Sequence, residues 1–203
     1  MKLLVYLHVA MKQRAFQSVL QAALRDVTTT AVGRIADFDR ALAEGTDAVL
    51  TLPIVLRAHS LSAGLSGFSK GASDERYALV GAGSIPDPKK VEAVGALDVL
   101  GRDGTTSFVR RLLASQSRIE RVIKFEDLLP LLQMQRVDAV VAPSRLVPEL
   151  AGTSRLGLSY RELDERVGLP AVSPVGPEGA AVLKAVGKMP LTLSKTLGVD
   201  EWR

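Results

Sequence analysis

The sequence predicts an α/β protein built as two lobes, and three observations carry that expectation. Short, almost wholly apolar runs alternate with stretches whose apolar residues recur at helical spacing, the pattern of doubly buried strands with helices laid against them. Aromatic residues make up only 4% of a chain that is 47% hydrophobic. Its core therefore rests on Ala, Val and Leu, which suits helices on a parallel sheet better than an aromatic-rich sandwich. One segment is also written twice: Thr46-Asp47-Ala48-Val49-Leu50-Thr51-Leu52-Pro53 and Val137-Asp138-Ala139-Val140-Val141-Ala142-Pro143. Each copy follows a Phe-acid pair, Phe38-Asp39 and Phe125-Glu126. A unit of helix, turn, buried strand and proline thus occurs in both halves.

The elements follow in order. Leu3 to Val9 is a short apolar strand, and Phe16, Val19, Leu20, Ala23 and Leu24 then repeat at i, i+3, i+4. Val27 to Val32 is β-branched and reads as a second strand. Ile35, Phe38, Ala41 and Leu42 line a second helix that Gly45 ends. Asp47 to Leu52 is a third strand. Ile54 to His59 allows a short helix, whereas the Ser- and Gly-rich stretch from Ser60 to Glu75 reads as a loop or flap. Tyr77 to Val80 is a strand, and Gly81, Gly83, Pro86 and Pro88 mark the crossing into the second lobe.

That lobe repeats the plan, with strands at Ala96 to Leu100, Ile119 to Lys124 and Val137 to Ala142. Helices are expected from Thr105 to Ala114 and from Glu126 to Gln135, where Pro130 is tolerated only in the first turn. A short helix near Ser144 to Leu150, a helix from Tyr160 to Arg166, a strand from Leu169 to Val172 and helices at Pro177 to Val186 and Leu191 to Leu197 complete the chain. Residues 1–80 with about 168–203 make lobe 1 and 81–167 make lobe 2, one structural unit with a hinge. Parallel βα units place ligands beyond the carboxyl ends of their strands, and two lobes can turn those ends toward a shared cleft.

Composition narrows the partners. At 203 residues the chain can bury a substantial core. Its net charge of +4 is mild, and Lys and Arg are scattered among 22 acids, so nucleic acid is not an expected partner and anionic small molecules are. The absence of Cys excludes disulfides, thiolate metal sites and a cysteine nucleophile. The apolar run Leu3 to Ala10 sits at the short end of the roughly 7–15 residues of a signal-peptide core. Met11-Lys12-Gln13-Arg14 stands where small residues should precede cleavage, so the apolar run before it reads as the first strand. Direct membrane insertion is not expected.

Gly101-Arg102-Asp103-Gly104-Thr105-Thr106-Ser107-Phe108-Val109-Arg110-Arg111-Leu112-Leu113, taken with the order of elements, resembles the type II periplasmic-binding-protein fold, and most nearly its polar amino-acid-binding solute receptors. Phe38-Asp39, Gly45 and Asp47 to Leu52 match that family's first-lobe pattern. Gly104-Thr105-Thr106-Ser107, Phe125-Glu126 and Val137 to Val141 match the second. The resemblance spans Lys2 to about Val186. It implies a solute-binding protein that serves an ABC transporter and works outside the cytoplasmic membrane. The compartment is then periplasmic or extracytoplasmic if an export signal has been removed, and cytoplasmic otherwise. The family's Thr-x-x-Arg after the third strand is absent, Arg57 being the nearby arginine, and its Phe-Ser is displaced to Phe68-Ser69. The expected ligand is therefore drawn broadly as an amino acid, another carboxylate, a phosphonate or a sulfonate.

Candidate binding residues follow from placement. Gly104, Thr105, Thr106 and Ser107 open a helix whose unpaired N–H groups and three hydroxyls could hold an anion, the alternative being that one Thr simply caps the helix. Thr51 and Leu52 close the third strand, and Ser144 and Arg145 follow its echo. Arg145 and Arg57 offer guanidinium donors to an anion, although most arginines are only solvated. His8 ends the first strand, where a hydrogen-bonded edge histidine is the competing reading.

Enzyme signatures fail on inspection. Gly81-Ala82-Gly83 runs into Ser-Ile-Pro where a dinucleotide fingerprint needs a helix, and Gly64 to Phe68 misplaces the second glycine of a nucleophile elbow. His8 and His59 lie apart, with no cluster suggesting zinc. Asp47 and Asp138 begin strands and are expected to fix turns. No cofactor and no metal are expected. A non-catalytic binder of a small anionic solute, with a membrane transporter as its further expected partner, leads. A small lyase or transferase on the same fold, or a ligand-sensing regulatory domain, is the alternative.

Overall fold

The computed structural model describes residues 1–203. In chain order the elements are β1 (Lys2–Tyr6), α1 (Gln13–Ala23), β2 (Thr28–Val32), α2 (Ile35–Ala43), β3 (Ala48–Thr51), α3 (Pro53–Ala58), β4 (Leu65–Phe68) and β5 (Asp74–Ala82). Then come β6 (Ala93–Leu97), α4 (Gly101–Leu113), β7 (Arg118–Val122), α5 (Leu128–Gln133), β8 (Ala139–Pro143), α6 (Val147–Thr153), β9 (Leu158–Gly168), β10 (Ala171–Pro174), α7 (Gly179–Gly187), α8 (Leu191–Thr196) and β11 (Glu201–Trp202). The chain forms two compact units, Met1–Asp74 with Gly168–Arg203, and Glu75–Val167.

The first unit holds a six-stranded sheet in the order β11-β4-β10-β3-β1-β2. β1 pairs in parallel with β2 and β3, and β10 joins antiparallel to β3. β1 and β3 sit centrally, so both their faces are covered and their sequences carry no alternation. One layer is closed by Phe16 and Leu20 of α1, Val182 and Val186 of α7 and Leu193 of α8 packed with Leu3, Val5 and Leu50. Phe38 of α2 is 0% exposed, and burying such a ring contributes about 1.5–3 kcal/mol. The strands that leave and re-enter this unit are joined where the Leu169 N–H donates to the Ser73 carbonyl at 2.9 Å.

The second unit holds a five-stranded sheet in the order β7-β6-β8-β5-β9. β6 pairs in parallel with β7 and β8, and β5 runs antiparallel to β8. Because β5 pairs in this sheet, Glu75 to Val80 belong to the second unit and not, as the sequence suggested, to the first.

The repeated Asp-Ala-Val has one structural meaning in both units. Asp47 Oδ2 accepts the Lys2 N–H at 2.8 Å, and the Asp47 N–H donates to the Lys2 carbonyl. Asp138 Oδ2 accepts the Glu92 and Ala93 N–H groups at 2.9 Å each, and the Asp138 N–H donates to the Ala93 carbonyl. Each aspartate clamps the start of its own strand to the start of the neighbouring parallel strand, where ladder bonds have not yet begun.

Three elements depart from the sequence reading. Tyr160 to Arg166, rich in helix formers, lies within the strand β9, since pairing beside β5 outweighs local preference. The stretch Ser60 to Glu75 is not a free loop: it contains β4, which pairs with both β10 and β11. Its following turn is held by Asp200, whose carboxylate accepts from the Ser69 hydroxyl and the Lys70 N–H, bonds that keep that carboxyl below its usual range. The helix α4 begins at Gly101 instead of Thr105.

Candidate functional site

The carboxyl ends of the parallel strands are where the sequence placed its candidate residues. In the first unit Thr51 ends β3 fully buried, and its hydroxyl donates to the Tyr6 carbonyl of β1 at 2.7 Å. That bond spends the hydroxyl on the sheet. Leu52 is the residue before α3, and its carbonyl accepts the N–H groups of Val55 and Leu56. Arg57, in the last turn of α3, is exposed and makes no ion pair. His8 packs edge-on against the Tyr6 ring at 5.3 Å between centroids.

Tyr6 in turn meets Phe38 at 5.4 Å, and Phe38 meets His59 at 5.0 Å. A continuous run of four rings therefore passes from the end of β1 to the end of α3. His59 closes it with two bonds, Nδ1 to the Val55 carbonyl at 2.9 Å and Nε2 to Asp39 Oδ1 at 2.8 Å. The acid of the Phe38-Asp39 pair thus orients the histidine while the phenylalanine supports its ring.

In the second unit the Gly-Thr-Thr-Ser stretch is not the first turn of its helix. Gly101 opens α4, so Gly104 to Ser107 lie one turn inside. Thr105 is 0% exposed, and its hydroxyl accepts the Leu100 N–H and donates to Asp98 Oδ1, both at 2.9 Å. Asp98 Oδ2 also accepts from Arg121 at 2.5 Å. Thr105 thus caps the chain just before α4 and ties it to the end of β6. Gly104 gives close approach to its own neighbour, since a Cβ there would stand 2.7 Å from the Leu100 Cβ. Thr106 donates back to the Arg102 carbonyl on the exposed side, and Ser107 is exposed beside it.

Arg145 follows β8 and pairs with Glu75 of β5, Nε to Oε2 at 3.0 Å. β5 and β8 are antiparallel, which brings the start of one against the end of the other. Burial pushes the Glu75 carboxyl above the usual carboxylate range, and the Arg145 guanidinium only partly offsets this. Burial likewise pushes the Tyr77 hydroxyl up, with the Glu75 charge adding to it. The Ser144 hydroxyl is enclosed and makes no hydrogen bond. Sequence reasoning missed Glu75 and Asp98, the carboxylates that occupy Arg145 and Thr105. Asp98 stood seven residues from Thr105 and was within reach of inspection, whereas Glu75 meets Arg145 only through sheet pairing. No group of three or more His, Asp or Glu is placed to hold a metal ion, and no helix is long and apolar enough to cross a membrane.

No family model and no curated protein matches the chain. Solved structures do match, over nearly its whole length. A double-mutant VFT2 domain of Bordetella pertussis BvgS aligns with TM-score 0.65 at 13% identity, covering 97% of this chain and 91% of that one. The fold is that of the type II periplasmic binding proteins. A substrate binding protein of an amino acid ABC transporter gives 0.64 at 14% identity, covering 98% and 96%. The GluR0 ligand-binding core from Nostoc punctiforme, in complex with L-glutamate, gives 0.60 at 11%, covering 97% and 95%. In a periplasmic-binding-protein fold of this topology the candidate residues divide into two sets. Thr51, Thr105, Thr106 and Arg145 are engaged by this chain's own groups, while Arg57, Ser144 and Ser107 keep donors to spare.

Proposed function

We propose that this chain is a non-catalytic receptor for a small anionic solute, bound at the carboxyl ends of its parallel strands and passed on to a membrane transporter. The observation that carries the reading is the near whole-length likeness to solute-binding structures, among them the amino acid ABC transporter protein. An ancestral arginine-binding protein bound to glutamine is another such neighbour, at TM-score 0.60 and 15% identity. In this reading Arg57 is the cation that meets the solute in the first unit. Ser144 and Ser107 donate in the second, Leu52 and His8 shape the site, and Thr51, Thr105, Thr106, Gly104 and Arg145 hold the frame. Such a protein acts outside the cytoplasmic membrane.

A thermal-shift screen tests this, using L-glutamate, L-aspartate, succinate, a short alkyl phosphonate and a short alkyl sulfonate. A ligand present at a hundred times its Kd adds about 2.7 kcal/mol of stability, which raises Tm by about 5–11 °C at 2–4 °C per kcal/mol. We expect at least one member to do so and to be recovered unchanged. Arg57→Ala removes that shift without lowering the Tm of the free protein. A panel with no stabilising member contradicts the reading, and turnover of the bound acid replaces it with the enzymatic one.

A further inference from the structure

β2 is the edge of the first sheet and its sequence, Thr28-Thr29-Thr30-Ala31-Val32, is uncharged and β-branched. Such an edge offers free N–H and C=O groups to any strand that comes alongside, and proteins ordinarily blunt it with charge, proline or a bulge. The corresponding edge of the second unit, β7, does so with Arg118, Glu120 and Arg121. β2 has none of these devices.

Its outward groups are instead taken by one helix. Gln21 Oε1 accepts the Thr29 N–H at 2.9 Å, and its Nε2 donates to the Val27 carbonyl at 3.0 Å. Gln17 Oε1 accepts the Ala31 N–H at 3.2 Å, and Gln13 Nε2 donates to the Ala31 carbonyl at 2.6 Å. The register is geometric. Glutamines four apart on α1 are spaced by about 6 Å along a helix, and outward positions two apart on a strand by about 6.6 Å. Primary amides at that interval reproduce the donor and acceptor pattern of a neighbouring strand. Gly33 leaves room at the end of the ladder, where a Cβ would stand 2.9 Å from Gln13 Oε1. Gln13 and Gln17 are exposed, so only side chains separate this edge from solvent.

We propose that Gln13, Gln17 and Gln21 are a surrogate strand that masks the β2 edge and keeps it from pairing with the same edge of a second copy of this chain. The inference does not depend on the solute-binding reading. Amide hydrogen exchange on the full chain tests the ladder itself. Gln21→Ala speeds exchange at Thr29, and Gln17→Ala at Ala31, each at least tenfold and with the other amide little changed. Equal protection in wild type and single variants overturns the ladder.

Sedimentation velocity tests the masking. The variant Gln13→Ala/Gln17→Ala/Gln21→Ala self-associates at concentrations where the wild type does not, and adding Thr30→Lys, a charge on the exposed face of the edge, reverses this. A triple variant that sediments like wild type, or whose association survives Thr30→Lys, overturns the masking role. Should the triple variant fail to fold, the same comparison is made with Gln17→Ala/Gln21→Ala.

Discussion

Replacing Thr105 by Val separates the two roles open to the Gly-Thr-Thr-Ser stretch. Thr105 is fully buried, and valine fills the same space, so no cavity forms and the loss is purely of hydrogen bonds. The Leu100 N–H loses its acceptor and Asp98 loses one donor. A neutral bond contributes about 1 kcal/mol and one to a carboxylate about 1.5–3 kcal/mol, so the variant should lose about 2–4 kcal/mol. For a chain of this length that lowers Tm by about 4–16 °C. Thr106→Val is the control: its exposed hydroxyl only bonds back to Arg102 of its own helix, and its stability should stay within about 0.5 kcal/mol of wild type. Scanning calorimetry measures both, and hydrogen exchange around α4 localises the change to the second unit. If Thr105→Val were as stable as Thr106→Val, the cap between β6 and α4 would carry no weight and the argument from its geometry would fail.

Two further outcomes follow from the same structure. Because burial holds the folded Glu75 carboxyl above its ordinary value of 4.5, its protonated form favours the folded state. That contribution is complete below the unfolded value and is lost as pH rises through the folded one. The stability of wild type relative to Glu75→Gln should therefore decline with rising pH across that window, and a flat difference in urea titrations would contradict it. Asp47→Ala and Asp138→Ala should each cost about 1–2 kcal/mol, the lower range for charge-assisted bonds at partly exposed positions. The chain's single tryptophan, Trp202 in β11 of the first unit, reports the former by fluorescence and circular dichroism reports the latter; changes below about 0.5 kcal/mol would deny the clamp.

The fold was largely legible because its decisive signals are local. Asp47-Ala48-Val49-Leu50 and Asp138-Ala139-Val140-Val141 announce doubly buried strands, and the spacing of Phe16 and Leu20 announces the helix that covers them. What escaped was set by partners distant in sequence. β9 has the composition of a helix and is a strand only because β5 offers an edge. β4 hides in a Ser- and Gly-rich stretch because its partner β10 lies more than a hundred residues on. The same distance limited the site. Arg145 and Thr105 looked free to meet an anion; the Glu75 that folds against the first arrives only through sheet pairing, whereas Asp98 and Leu100, which occupy the second, stand within seven residues of it. Arg57, whose neighbourhood is a single short helix, was read on local grounds and remains unpaired.

Native mass spectrometry of the full chain, titrated with the acid that stabilises it most, addresses the receptor reading most directly. The account predicts one added molecule per chain, released on collisional activation at the mass of the intact acid. An adduct at the mass of a product, or none for any acid of the panel, would contradict it.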